Sequence, residues 1–259
     1  MTAPFSPILC RFASYFKSSL VPADAAETLL FFIHLPKTGG TSIVTVLRRV
    51  YGRHYLNVGK EGRVSGEGGK VDWAKVFCCS GHLQADWTDG LCDATGAPAL
   101  AGREVRKICV VREPVSRVIS YFRYATTTPR HRLHEATRGM SAERFFSYLE
   151  EEGCGECWNQ QTRMLRGQED SLFLAAPLDR LDSFAVTLAG SCGWRKTLQV
   201  PRINASAASA PASVPESVRE LIRERSALDL ALYAKISERF ENGDFPAQKM
   251  SAGVFSANA

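Results

Sequence analysis

A strand, a glycine turn and a helix start follow one another within residues 29–42, LLFFIHLPKTGGTS, and this junction limits the possible fold more than any other part of the chain. Residues 29–35 make an apolar run of strand length. Pro36 and the glycine pair end it, and Thr41 and Ser42 open a helical pattern that runs to residue 51. Paired glycines let a backbone approach an anion closely, and a helix start offers unpaired N–H groups at a positive dipole end. Lys37 adds a mobile positive charge, and Thr38, Thr41 and Ser42 add hydroxyl donors around Gly39 and Gly40. The result is a cradle for a phosphate-type group. It is not a Walker A loop, in which the Lys follows the glycines; here it precedes them.

Residues 105–122 again run from apolar strand into helix. Pro114 suits the first helical position, where a missing N–H costs nothing. Arg112 falls at the strand tip, and Ser120 lies further along the helix. A guanidinium fork and a hydroxyl converging from those places suit a terminal phosphate monoester. Further apolar runs at 76–80 and 172–176 read as strands, and helical patterns occupy 114–126, 141–151, 156–166, 178–188 and, as one or two helices, 216–240. Residues 52–70 and 205–215 read as loops. Strands alternating with helices imply a parallel sheet whose ligand sits beyond the strands' carboxyl ends. Lys37, His82 and Arg112 each follow a predicted strand.

Together the two segments resemble the paired nucleotide motifs of the sulfotransferases that use 3′-phosphoadenosine 5′-phosphosulfate (PAPS). The loop PKTGGTS is similar to their 5′-phosphosulfate loop, and Arg112 with Ser120 to their 3′-phosphate site. The likeness is nearest to carbohydrate sulfotransferases of the heparan sulfate 2-O and 6-O type and their bacterial relatives. Ser80-Gly81-His82 with Ala85-Asp86-Trp87 resembles the segment carrying that family's catalytic histidine, and residues 159–165 resemble the 6-O type's acceptor-side helix. Leu83 and Gln84 intervene between the His and the Ala-Asp-Trp, unlike the 6-O pattern, whereas the Gly-His pair is closer to the 2-O type. Residues 202–206, with Asn204 and Ser206, and residues 228–233 resemble the family's C-terminal end.

The resemblance implies a single P-loop-like α/β domain, a central parallel sheet flanked by helices, over residues 28–243. A lead at 1–27 with helical apolar spacing precedes it, and a flexible tail at 244–259 follows. It also implies sulfuryl transfer from PAPS to a carbohydrate or similar hydroxyl, with PAP as product and no metal. Lys37 would neutralise the leaving group, and Thr38 to Ser42 would cradle the 5′ end. Arg112 and Ser120 would grip the 3′-phosphate, with Asn204 and Ser206 also at the nucleotide. His82 is the expected base, because a neutral imidazole suits removal of a hydroxyl proton. Asp86 and Asp89 are the alternative bases, and His34 reads as a structural core residue. A non-catalytic nucleotide-binding protein and a small-molecule kinase remain open as other readings. Against the kinase, strand ends carry Ser80-Gly81-His82 and Arg112-Glu113 rather than an Asp placed for Mg²⁺.

Composition sets outer limits. A chain of 259 residues fits one α/β domain, and a net charge of +5 without a basic block gives no nucleic-acid footprint. No apolar run reaches membrane-span length, and no secretory leader pattern opens the chain, so a cytoplasmic enzyme is expected. Cys154-x-x-Cys157 and His131-x-x-His134 have no second pair to complete a zinc site. Pairing among the eight cysteines, the acceptor's identity and the oligomeric state stay open.

Overall fold

The computed structural model describes residues 27–59, 71–91, 99–100, 102–196, 198–203 and 214–250. Its strands are β1 (Thr28–Ile33), β2 (Tyr55–Val58), β3 (Cys78–Gly81), β4 (Glu104–Val111) and β5 (Leu174–Pro177). They form one parallel sheet in the order β2-β3-β1-β4-β5, the α/β architecture expected. Residues 29–33 of β1 are at most 3% exposed, because both sheet faces are covered, and this is why the strand reads as an unbroken apolar run.

The helices are α1 (Gly40–Tyr51), α2 (Pro114–Thr127), α3 (His134–Thr137), α4 (Ala142–Glu151), α5 (Gln160–Leu165), α6 (Leu181–Ser191), α7 (Glu216–Arg225) and α8 (Ala227–Glu241). From β1 the chain passes through α1 to the β2 edge, whereas from β4 it moves to β5 on the other side. The crevice above β1 and β4 is therefore the topological switch point, where ligands of such sheets bind. Apolar side chains of α1, α6 and α8 pack with the sheet in one cluster. A second cluster joins α2, α4 and α7 around Phe122, Phe145, Phe146 and Ile222.

Local chemistry explains the helix starts. Glu113 caps α2, its carboxylate accepting from Val115 N at 2.9 Å and Ser116 N at 2.7 Å, with Pro114 as the first helical residue. Ser141 Oγ accepts from Arg144 N at 3.3 Å to open α4. The acid beside Arg112 is thus committed to a helix end.

The structure departs from the sequence reading in three places. Tyr55–Val58, read as loop, is the edge strand β2; it is short and half-exposed, so it lacks the apolar run of a central strand. The helix expected over 156–166 begins only at Gln160, because Asn159 takes a left-handed φ of 48°. Finally, the tail expected to loosen at 244 is still packed there: Phe245 and Ala247 have no exposed surface. Of the one or two helices expected over 216–240 the structure has two, α7 and α8, divided at Ser226. The N-terminal lead, Asn204 and Ser206 lie outside the described residues.

Candidate active site

The loops after β1 and β4, together with one face of α2, enclose an open cleft of about 1800 Å³. Among the described residues lining it are seven Lys or Arg side chains and three Asp or Glu, so its field favours an anion. Lys37, Gly39, Gly40, Thr41, Ser42, His82, Arg112 and Ser120 all face this one cleft, from segments far apart in sequence.

The β1–α1 turn is shaped by its glycines. Gly39 has a φ of +80° and caps α1 through its backbone alone, its carbonyl accepting from Ser42 N at 3.0 Å, so no side chain caps the Gly40 and Thr41 N–H groups. A Cβ on Gly40 would lie 2.2 Å from His34 Cδ2 and 2.4 Å from its Nε2, so only glycine lets α1 start this close to β1. Lys37 also has a positive φ, 68°, in a region that costs a side-chain-bearing residue about 1 kcal/mol or more. Its Nζ rests 4.1 Å from the centre of the Tyr124 ring, and its carbonyl accepts from Arg112 Nη1 at 3.2 Å. Burial, and secondarily the Arg112 charge, lower the Lys37 ammonium from its ordinary range. Arg112 is lowered mainly by burial, with Glu113 opposing and Arg123 adding to the effect. Two cations held together and half out of water would each gain from a bound anion.

Not every expected donor faces the cleft with its side chain. Thr38 is buried, and its hydroxyl donates to Leu35 O at 2.9 Å, so that group serves the turn. Ser42 Oγ accepts from Ile203 N at 3.3 Å and docks the segment 200–203 at the cleft, where Val200, Arg202 and Ile203 also line it.

His82 is exposed and follows β3 directly. Its Nδ1 lies 2.7 Å from His34 O. A carbonyl can only accept, so Nδ1 carries the proton, and Nε2 is the basic nitrogen of the neutral ring. The His34 ring stacks beneath it with centroids 4.2 Å apart, and on Phe32 at 5.7 Å. Burial, then the neighbouring His82, push the His34 pKa down to about 3, so this ring is neutral. His34 is half-buried just past the end of β1 and lines the cleft, so it is a cleft residue and not the core residue expected from the sequence. The alternative bases are engaged elsewhere: Asp86 pairs with Arg166 Nε at 3.0 Å, and Asp89 pairs with Lys107 Nζ at 2.7 Å and accepts from Gln168 at 3.0 Å.

Several contributors escaped the sequence reading. Ser116, Ile119, Arg123, Tyr124 and Thr127 share the cleft-facing side of α2 with Ser120. Their spacing of three and four residues was the available signal. Gln161 bonds the Arg112 backbone from behind and is itself held by Asp229, a chain of contacts across distant segments that no local pattern reports. Among the described residues no three His, Cys, Asp or Glu side chains gather to hold a metal, and no helix is long and apolar enough to cross a membrane. Cys78, Cys79, Cys109, Cys154 and Cys157 are thiols outside any disulfide.

Fold and site define a parallel α/β protein with an anion cradle at its topological switch point. The sequence matches the model of the sulfotransferase family over residues 25–173, more than half of the chain, and the chain belongs to that family. Sulfuryl transfer is accordingly its general chemistry. No curated protein matches the chain. The matched stretch contains the Lys37 loop, His82, Arg112 and Ser120, and stops before β5, α6, α7 and α8.

Proposed function

We propose that the protein transfers the sulfuryl group of PAPS to a hydroxyl of a carbohydrate or similar acceptor, in the manner of the heparan sulfate 2-O and 6-O type enzymes and their bacterial relatives. The observation that carries this reading is the meeting of Lys37, Arg112 and His82 at three neighbouring strand tips in one cationic cleft. The cradle fits a phosphosulfate because glycines leave it lined by backbone, with helix N–H groups facing the anion. PAPS supplies an activated sulfuryl group on a good leaving phosphate.

In this reading the start of α1, with Thr41 and Ser42, holds the 5′ end, while Arg112 and Ser120 grip the 3′-phosphate. Asn204 and Ser206, next to the docked Ile203, complete the nucleotide contacts. Lys37 leaves the Tyr124 ring to neutralise charge growing on the bridging oxygen, an effect that contributes several kcal/mol in such sites. His82 Nε2 takes the acceptor hydroxyl's proton as that oxygen bonds to sulfur. The sulfur–bridging-oxygen bond breaks in line, and its electron pair stays with the departing phosphate.

The test is transfer of label from PAPS to a panel of glycans and small alcohols in the presence of a chelator. We expect a sulfated product, lost in Lys37→Ala and reduced by about 10²–10⁴ in kcat in His82→Ala, with PAP binding retained in the histidine variant. Phosphorylation from ATP with no sulfation from PAPS would overturn the reading. Near-normal turnover in His82→Ala would move the base elsewhere.

A further inference from the structure

Arg112 is the first residue past β4, whose last paired position is Val111 opposite Pro177. The sheet ladder stops there, yet both backbone polar groups of Arg112 are satisfied. Gln161 Oε1 accepts from Arg112 N at 2.9 Å, and Gln161 Nε2 donates to Arg112 O at 3.0 Å. One side-chain amide thus acts as an extra rung, continuing the strand for the residue whose guanidinium enters the cleft.

Gln161 is itself only 1% exposed and is held from the far side. Asp229 on α8 has no exposed surface. Its Oδ2 accepts from Gln161 N at 3.3 Å and from Gln161 Nε2 at 3.5 Å. Its Oδ1 accepts from Thr162 N at 2.8 Å and Thr162 Oγ1 at 2.9 Å. Asp229 N donates to Asn159 Oδ1 at 3.0 Å, and Arg117 Nε stands 3.8 Å from Oδ2. A buried carboxylate with this many donors is rigid, because leaving any of them unpaired in the interior is costly. The rotamer of Gln161 is therefore set by α8, and the backbone of Arg112 is set by Gln161.

We infer that Gln161, oriented by Asp229, is the positioning residue that aims the Arg112 guanidinium at the nucleotide's 3′-phosphate. The inference rests on the reading of Arg112 as the 3′-phosphate grip. It implies that discrimination between nucleotides with and without that phosphate depends on a side chain that touches neither. Gln160, its neighbour, lines the cleft instead, so consecutive residues of α5 divide between ligand face and support.

Asp229→Ala would bury Arg117 without its carboxylate and is prone to unfolding, so the informative variant is Gln161→Met, with Gln161→Leu beside it. Both are neutral and near the original size, and both remove the two bonds to Arg112. Affinities for PAP and ADP are measured by calorimetry on the full chain, with thermal unfolding as the check of folding and Arg112→Ala in parallel. Gln161→Met is expected to lose at least tenfold in PAP affinity while ADP stays within twofold, reproducing the pattern of Arg112→Ala. If Arg112→Ala shows that loss and the folded Gln161 variants do not, the positioning role is wrong and the 3′-phosphate reading stands. Equal loss of PAP and ADP in the Gln161 variants, or failure of both to fold, makes Gln161 a structural residue and overturns the inference. If Arg112→Ala keeps the preference for PAP over ADP, the 3′-phosphate reading falls first and the inference falls with it.

Discussion

His34 shows how much a single ring can carry at this site. It is packed between Phe32 and His82, and it touches the space that a side chain on Gly40 would need. Its pKa falls from 6.5 to about 3 on folding, so the unfolded chain binds the extra proton between those values. The stabilisation is complete above pH 6.5 and is lost as pH drops toward 3, at about 1.4 kcal/mol per pH unit inside that window. His34→Gln is expected to flatten this part of the curve in denaturant unfolding between pH 4.5 and 7; an unchanged slope would remove His34 as its source. Lys37, Gly39, Gly40, Arg112, Ser120 and His82 were legible in the sequence because each stands in a strand-tip pattern only a few residues long. The neutral state of His34 was not, since it arises from burial and a stack between residues 48 positions apart.

At the level of elements, the reading was sharpest where local rules coincide. The α2 helix was expected over 114–126 and spans Pro114–Thr127, because a proline start, an acidic cap and an apolar stripe all agree. The β2 strand was missed because an edge strand buries only part of its surface. The short α5 was overextended because its start is dictated by Asn159 and by Asp229 on another helix. The β1–α1 turn gives the clearest prediction at this scale. In Gly40→Ala the new methyl group must displace the His34 ring, and with it the floor under His82. We expect loss of both PAP binding and at least tenfold in kcat, while circular dichroism still shows a folded chain. Wild-type kinetics would mean that the turn relaxes without moving the histidines.

The whole molecule is larger than the stretch that identifies its family. Residues 25–173 hold the cradle and the candidate base, but Leu232, Ile236, Phe240 and Phe245 from beyond it are part of the central core, and α8 packs on β5. A fragment of residues 25–173 would expose that surface and lose the carboxylate behind Gln161. It is expected to be largely unfolded by hydrogen exchange and to bind no PAP, whereas the full chain unfolds in one transition; a fragment with native protection would show that the core does not need α8. The same clamp bears on how the protein comes into being. Ribosomes deliver residues in order, and Asp229 is delivered after every described residue that lines the cleft, the last of which is Arg219. A nascent chain therefore holds every described residue of the cleft lining before it has the helix that completes the core and fixes Gln161, so the cleft takes its final shape only once α8 has emerged.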